Sequence, residues 1–243
     1  MTAPGAAAVE YFGHGAASPY ERALRQAGGN IQLIAVDDAR MPQPIDVTAF
    51  LADADAVDID ALERTRGPIL DVGCGPGRIV GAGASLGRPT LGVDISAHSL
   101  AIARRKGAIV LRRSIFDRVP RAGHWGAVVL FDGNIGIGGD PVGLLRRCSS
   151  LVEPAGSILV ETHRDPSRSA RFRARLLDEV GPSLSFPWAE VGDAALPALA
   201  QDSGLVVASR WAVPSGRRFA LLEHPGAAQL VPHSTTPASR GHS

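Results

Sequence analysis

Residues Ile69–Arg78 read ILDVGCGPGR, and this stretch limits what the chain can fold into more than any other. Ile69, Leu70 and Val72 run into Gly73, Gly75 and Gly77, and Ile79 and Val80 then resume the apolar pattern. A short apolar run bounded by glycines fits a buried strand of a parallel sheet, and the resumption fits the first turn of a helix. Glycines permit left-handed backbone and leave no Cβ between the chain and a ligand. A helix starting near Arg78 turns unpaired N–H groups toward whatever lies above the turn. The stretch predicts a nucleotide-type cofactor site between a strand and a helix.

Two common versions of such a site do not fit. The dinucleotide fingerprint G-x-G-x-x-G/A is met at Gly73 and Gly75, but its third position is Arg78, too large for close helix–strand packing. The P-loop needs a Gly-Lys-Ser/Thr that is not there. What does fit is Asp71-x-Gly73-x-Gly75-x-Gly77, which resembles motif I of the class I S-adenosylmethionine-dependent methyltransferases. The resemblance extends over roughly residues 68–223 and is similar in its wider look to uncharacterised bacterial members acting on small molecules. It implies an α/β fold: a three-layer Rossmann-like sandwich with a mostly parallel seven-stranded sheet, a C-terminal antiparallel hairpin and N-terminal lid helices. It implies S-adenosylmethionine as cofactor, with Asp71, Gly73, Cys74, Gly75 and Gly77 in contact with it.

The remaining sequence is consistent with that expectation. At 243 residues, 45% hydrophobic and 20% charged, the chain can bury one sizeable core. A net charge of +1 gives no general reason to expect a nucleic-acid or membrane partner. Cys74 and Cys148 make no disulfide framework. With no signal peptide and no long apolar span in view, they predict a cytoplasmic protein.

Taken in order, residues 1–10 predict a disordered N-terminus. Residues 11–66 predict a helical lid, in which Ser18 caps a short helix with Pro19 first and Glu21 three residues on. The broken apolar stripe of residues 46–66 predicts two further short helices. Tyr11, Phe12, His14 and Tyr20 are lid candidates or simply core. From residue 67 to 224, alternating strands and helices predict the cofactor-binding domain. Residues 225–243 predict a disordered tail.

Asp94 ends the second strand of this domain, 23 residues after Asp71, where an acid can accept hydrogen bonds from both hydroxyls of a ribose. The family resemblance places Ile95 beside it. It also assigns Asp117, with Ser114, Ile115 and Phe116 as neighbours, to the adenine. Asp132, Gly133 and Asn134 follow the fourth strand and open a stretch with four glycines between residues 133 and 139. Flexible backbone there predicts close approach of main chain to cofactor or substrate. The arginine-rich segment 162–175 reads as the start of a solvated helix or as a clamp for an anionic group. Residues 183–190 read as a proline-broken aromatic insert.

The implied chemistry is direct methyl transfer to an oxygen, nitrogen or carbon of a small-molecule acceptor. His163, after the fifth strand, is the candidate general base, with His14 behind it. No constellation of histidines and carboxylates argues for a metal, and nothing sets the oligomeric state. Two other readings stay open: methylation of RNA, and binding of S-adenosylmethionine for non-methyl chemistry or without catalysis.

Overall fold

The computed structural model describes residues 11–13, 18–36 and 41–227. In chain order the elements are α1 (Pro19–Arg25), β1 (Asn30–Ala35), β2 (Gln43–Asp46), α2 (Val47–Leu51), α3 (Ala56–Glu63), β3 (Ile69–Val72), α4 (Arg78–Ser85), β4 (Thr90–Asp94), α5 (Ala97–Arg105), β5 (Val110–Arg112) and β6 (Trp125–Leu130). A 3₁₀ stretch (Asn134–Gly139) leads to α6 (Pro141–Ser149), β7 (Val152–Thr162), β8 (Ser169–Leu177), β9 (Phe186–Val191), α7 (Leu196–Asp202), β10 (Val206–Ala212) and β11 (Arg218–Glu223).

The apolar run that precedes the glycines is the central strand β3, all four residues buried. The large sheet has the order β10-β11-β7-β6-β3-β4-β5. Pairing is parallel from β7 through β5 and antiparallel at the β10–β11 hairpin and its junction with β7. Successive strand residues face opposite layers. Leu70 and Val72 pack with Leu144, Leu145 and Leu196 of α6 and α7, while Ile69, Ala127 and Val129 pack with Ala61, Leu62 and Ile79 of α3 and α4. The three-layer sandwich is thus as expected. Strand order reverses between β4 and β6 on either side of β3, which opens a crevice at the carboxyl end of β3.

A second, four-stranded antiparallel sheet, β2-β1-β8-β9, changes the reading of three segments. Residues 11–66 hold two strands as well as the three expected helices. The arginine-rich segment is strand β8 and not a helix. Phe172, Ala174 and Leu176 alternate with Arg171, Arg173 and Arg175, so its apolar set can join one core with Ile31, Leu33, Phe186 and Trp188. Its arginines do not converge on one point. Arg168 binds Glu190, Arg173 binds Ser185, and Arg171 approaches Asp140 at 3.4 Å. Residues 183–190 run into β9, an edge strand, where Pro187 is tolerated.

Two of the glycines after β6, Gly136 and Gly139, pack against β9. A Cβ at Gly136 would collide with the Ala189 carbonyl, and one at Gly139 would lie 3.0 Å from the Pro187 ring. They let the 3₁₀ stretch lie flat along β9. The predicted disorder of residues 1–10 and the lid role of His14 lie outside the described residues. The predicted tail begins with described residues: Ala227 is buried, and the rest, 228–243, lies outside them. Among the described residues no helix is long and apolar enough to cross a membrane.

Candidate cofactor site

The glycine turn folds over the tip of β4. Gly73 and Cys74 both donate their N–H to the Val93 carbonyl, at 2.9 and 3.1 Å, and α4 then starts at Arg78. Gly73, Gly75 and Gly77 all have positive φ, at 69°, 50° and 91°. Gly77 is further required because a Cβ would meet that of Ala103 on α5 at 2.9 Å. Gly75 is different: its missing Cβ points to open space bounded by the Tyr20 hydroxyl at 3.4 Å. The Cys74 thiol is buried against Gly92, and burial raises its pKa, so only the Cys74 backbone faces the turn.

Two acids flank this turn. Asp94 accepts the Gly75 N–H at 2.8 Å and the Ser96 N–H at 2.7 Å, while the Ser96 side chain caps α5. Burial raises the Asp94 pKa, and these backbone donors oppose the rise. Asp71 lies beneath the turn, 2% exposed, and its Oδ2 is buried with no hydrogen-bond partner. Burial lifts its pKa to about 8; Arg78 opposes the shift and Asp132, Asp94 and Asp58 add to it. Ile95 is half-buried at the edge of a cavity shared with Tyr11, Glu21, His98 and Arg112.

On the far side, the loop after β5 carries Ser114, Ile115, Phe116 and Asp117. The Asp117 N–H bonds the Ser114 carbonyl at 3.1 Å, and the Ser114 hydroxyl accepts the Phe116 N–H at 3.3 Å. Phe116 is half-exposed, with its ring where a Gly138 Cβ would approach to 3.2 Å. Arg147 of α6 clamps this loop. It donates to the Ile115 carbonyl at 2.8 Å and to the Asp117 carbonyl at 2.6 Å.

At the β6 tip, Asp132 adopts φ 54°, unusual for a non-glycine residue, and Gly133 follows at 78°. Asn134 then reaches back, its amide donating to the Val72 and Gly73 carbonyls at 2.9 and 3.1 Å. Arg78 forks onto Asp132 at 2.7 and 2.8 Å and also bonds Asp58 of α3. Burial works to raise the Asp58 pKa, and the hydrogen bonds from Arg78 and Arg217 overcome it and hold it low. Arg217 continues the chain of charges to Glu161 at 2.8 Å, and the Asp132 N–H bonds the same carboxylate at 3.1 Å. Arg78 is therefore where a packing glycine would stand in a dinucleotide fold because it ties α3 to the strand tips.

Of the residues singled out from sequence, Asp71, Gly73, Cys74, Gly75, Gly77, Asp94 and Ile95 come together at the turn. Asn134 joins them through Gly73, Asp132 through Arg78, and Phe116 stands across from Gly138. Sequence reasoning missed Arg147, the Asp58–Arg78–Arg217 network and Glu21, because each depends on a partner far along the chain. His163 directly follows β7. Its backbone N–H bonds the Val191 carbonyl at 2.7 Å, and its Nδ1 accepts the Asp165 N–H at 3.0 Å.

A glycine turn at a sheet switch point, an acid at the neighbouring strand tip and a half-exposed ring beyond it are the parts of a nucleoside-binding α/β domain. Residues 69–156 match the family model described as "Methyltransferase domain". Two curated relatives are ubiquinone biosynthesis O-methyltransferases. The one from Xanthomonas axonopodis pv. citri is 31% identical over 130 residues, covering 48% of this chain and 54% of that protein. The one from Bordetella avium is 32% identical over 106 residues, covering 40% of this chain and 44% of that protein. The chain thus spans about half the length of these relatives. A solved S-adenosylmethionine-dependent methyltransferase from Bacteroides fragilis, in complex with S-adenosylhomocysteine, shares the fold with TM-score 0.68 at 21% identity, over 84% of this chain and 92% of that one.

Proposed function

We propose that the chain binds S-adenosylmethionine over the tips of β3 and β4 and transfers its methyl group to a small-molecule acceptor. The observation that supports this most is Asp94, a carboxylate fixed by two backbone N–H groups beside an open glycine turn. The residues suit the cofactor. The unpartnered Asp71 Oδ2 leaves a polar group beneath the turn for a ligand to satisfy, and the open space over Gly75 admits the cofactor. When bound, S-adenosylmethionine supplies a methyl group activated by a sulfonium. Asp94 would hold the ribose, Ile95 and Phe116 would flank the adenine, and Arg147 would keep the Phe116 loop in place. Holding donor and acceptor in line is worth about 7–11 kcal/mol, so positioning suffices for an acceptor that is already nucleophilic. The relatives' names support a small-molecule acceptor, and two buried free cysteines suit a cytoplasmic setting.

Calorimetry tests the reading: S-adenosylhomocysteine should bind, and NAD and ATP should not. Asp94→Ala removes an acceptor of charge-assisted hydrogen bonds, each worth about 1.5–3 kcal/mol, so affinity should fall at least about tenfold with the fold retained. An unchanged affinity would reduce Asp94 to a turn residue. His163 is proposed here as a turn residue rather than the base. Its Nδ1 is engaged by the Asp165 backbone, 3.0 Å from the N–H and 3.3 Å from the carbonyl, so the ring is held within its own turn. His163→Ala should change kcat less than about threefold, against the 10²–10⁴-fold or so of a general base.

A further inference from the structure

Glu21 of α1 is drawn in beside Asp94, and it is 6% exposed. The Ser96 hydroxyl donates to its Oε1 at 2.8 Å, while the Ser96 N–H donates to Asp94 Oδ1 at 2.7 Å. One residue therefore holds two carboxylates side by side, one from α1 and one from the β4 tip. Among the described residues neither forms an ion pair, and Glu21 adds to the forces that raise the Asp94 pKa. Like charges brought together in a buried place are unfavourable unless a ligand supplies donors. Glu21 also lines a cavity of about 480 Å³ with Ile95 and Ser96, so its carboxylate faces space on the nucleoside side. Its neighbour Tyr20 is buried, with its hydroxyl 3.3 Å from that of Ser99 and above Gly75, which holds α1 down across the turn.

Two adjacent carboxylates with no cation between them match a vicinal diol, which offers two O–H donors and no charge. We propose that Glu21 is a second acceptor for the cofactor ribose, taking one hydroxyl while Asp94 takes the other. This rests on the S-adenosylmethionine reading above. It makes the seating of the nucleoside and the docking of α1 a single event. Ser96 becomes the hinge pin between them, since its N–H and its hydroxyl serve one acid each.

Calorimetry with S-adenosylhomocysteine and its 2′-deoxy and 3′-deoxy analogues separates this from a merely structural role. In the unaltered protein each deoxy analogue should bind about ten- to a hundredfold more weakly, the worth of one charge-assisted hydrogen bond. Glu21→Gln keeps the shape and an acceptor for Ser96, and Glu21→Asp withdraws the carboxylate by one methylene. In either variant one of the two deoxy penalties should shrink to about threefold or less while the other persists, and Asp94→Ala should show the opposite pattern. If both penalties are unchanged in the folded Glu21 variants, or affinity falls equally for all three ligands, Glu21 is only a strut between α1 and α5. If the unaltered protein binds none of the three, the cofactor reading itself fails, and this inference with it.

Discussion

Gly75→Val is expected to abolish S-adenosylhomocysteine binding while leaving a folded protein. Residue 75 sits at φ 50°, where a left-handed β-branched residue is strained by about 1–2 kcal/mol or more. Its Cβ would reach 3.4 Å from the Tyr20 hydroxyl, and its methyl groups would fill the space that Asp94 and Tyr20 enclose. The Gly75 N–H that fixes the Asp94 carboxylate would shift with them. Affinity should drop beyond about a hundredfold, which corresponds to roughly 2.7 kcal/mol. The far-ultraviolet circular dichroism should be retained, since Gly75 lies in a turn between β3 and α4 and in no helix or strand. Binding within tenfold of the unaltered protein would show that the ligand does not ride over this turn.

The second large effect is on stability, and it depends on pH. The Asp71 carboxyl, raised from the ordinary value near 4 to about 8, keeps its proton in the folded protein over a range where the unfolded chain has released it. The folded state then binds more protons, so stability falls as pH rises from about 4 to about 8, and below that window nothing is lost. Each unit is worth about 1.4 kcal/mol, so the cost at pH 8 is several kcal/mol as an upper limit. Asp71→Asn removes the titration. In urea melts it should be more stable than the unaltered protein at pH 8, by about 2 kcal/mol or more, with the advantage gone near pH 4. The same variant should bind cofactor more weakly, a trade of stability for function. Parallel pH–stability curves for the two proteins would show that Asp71 does not titrate in this range.

What the sequence made legible was local. The glycine turn, the buried four-residue strand before it, the Ser18 cap and the acid at the β4 tip all depend on residues within a few positions of each other. The second sheet was not legible. Its central pairing, β1 with β8, joins residues far apart, Ile34 with Arg175 for example, and its edge strands contain Pro44 and Pro187, which argue against a strand when read alone. The alternation Arg-Phe-Arg-Ala-Arg-Leu over residues 171–176 did carry the period of a strand, but the arginines drew the reading toward a solvated helix. Glu21 shows the same limit. Three residues after Ser18 it reads as part of a helix cap, and its working partner Ser96 lies 75 residues away.

The sheet β2-β1-β8-β9 is assembled from two stretches that the whole cofactor-binding core separates. During synthesis β1 and β2 leave the ribosome well over a hundred residues before β8 can pair with them, so the edge of β1 waits unpaired while the larger sheet forms. Exchange between relatives meets the same constraint. A graft of the first sixty residues alone would lay a foreign β1 against the native β8 and break its register. The transplantable unit is residues 30–46 together with 169–191, and a chimaera that moves both should fold where one that moves either should aggregate.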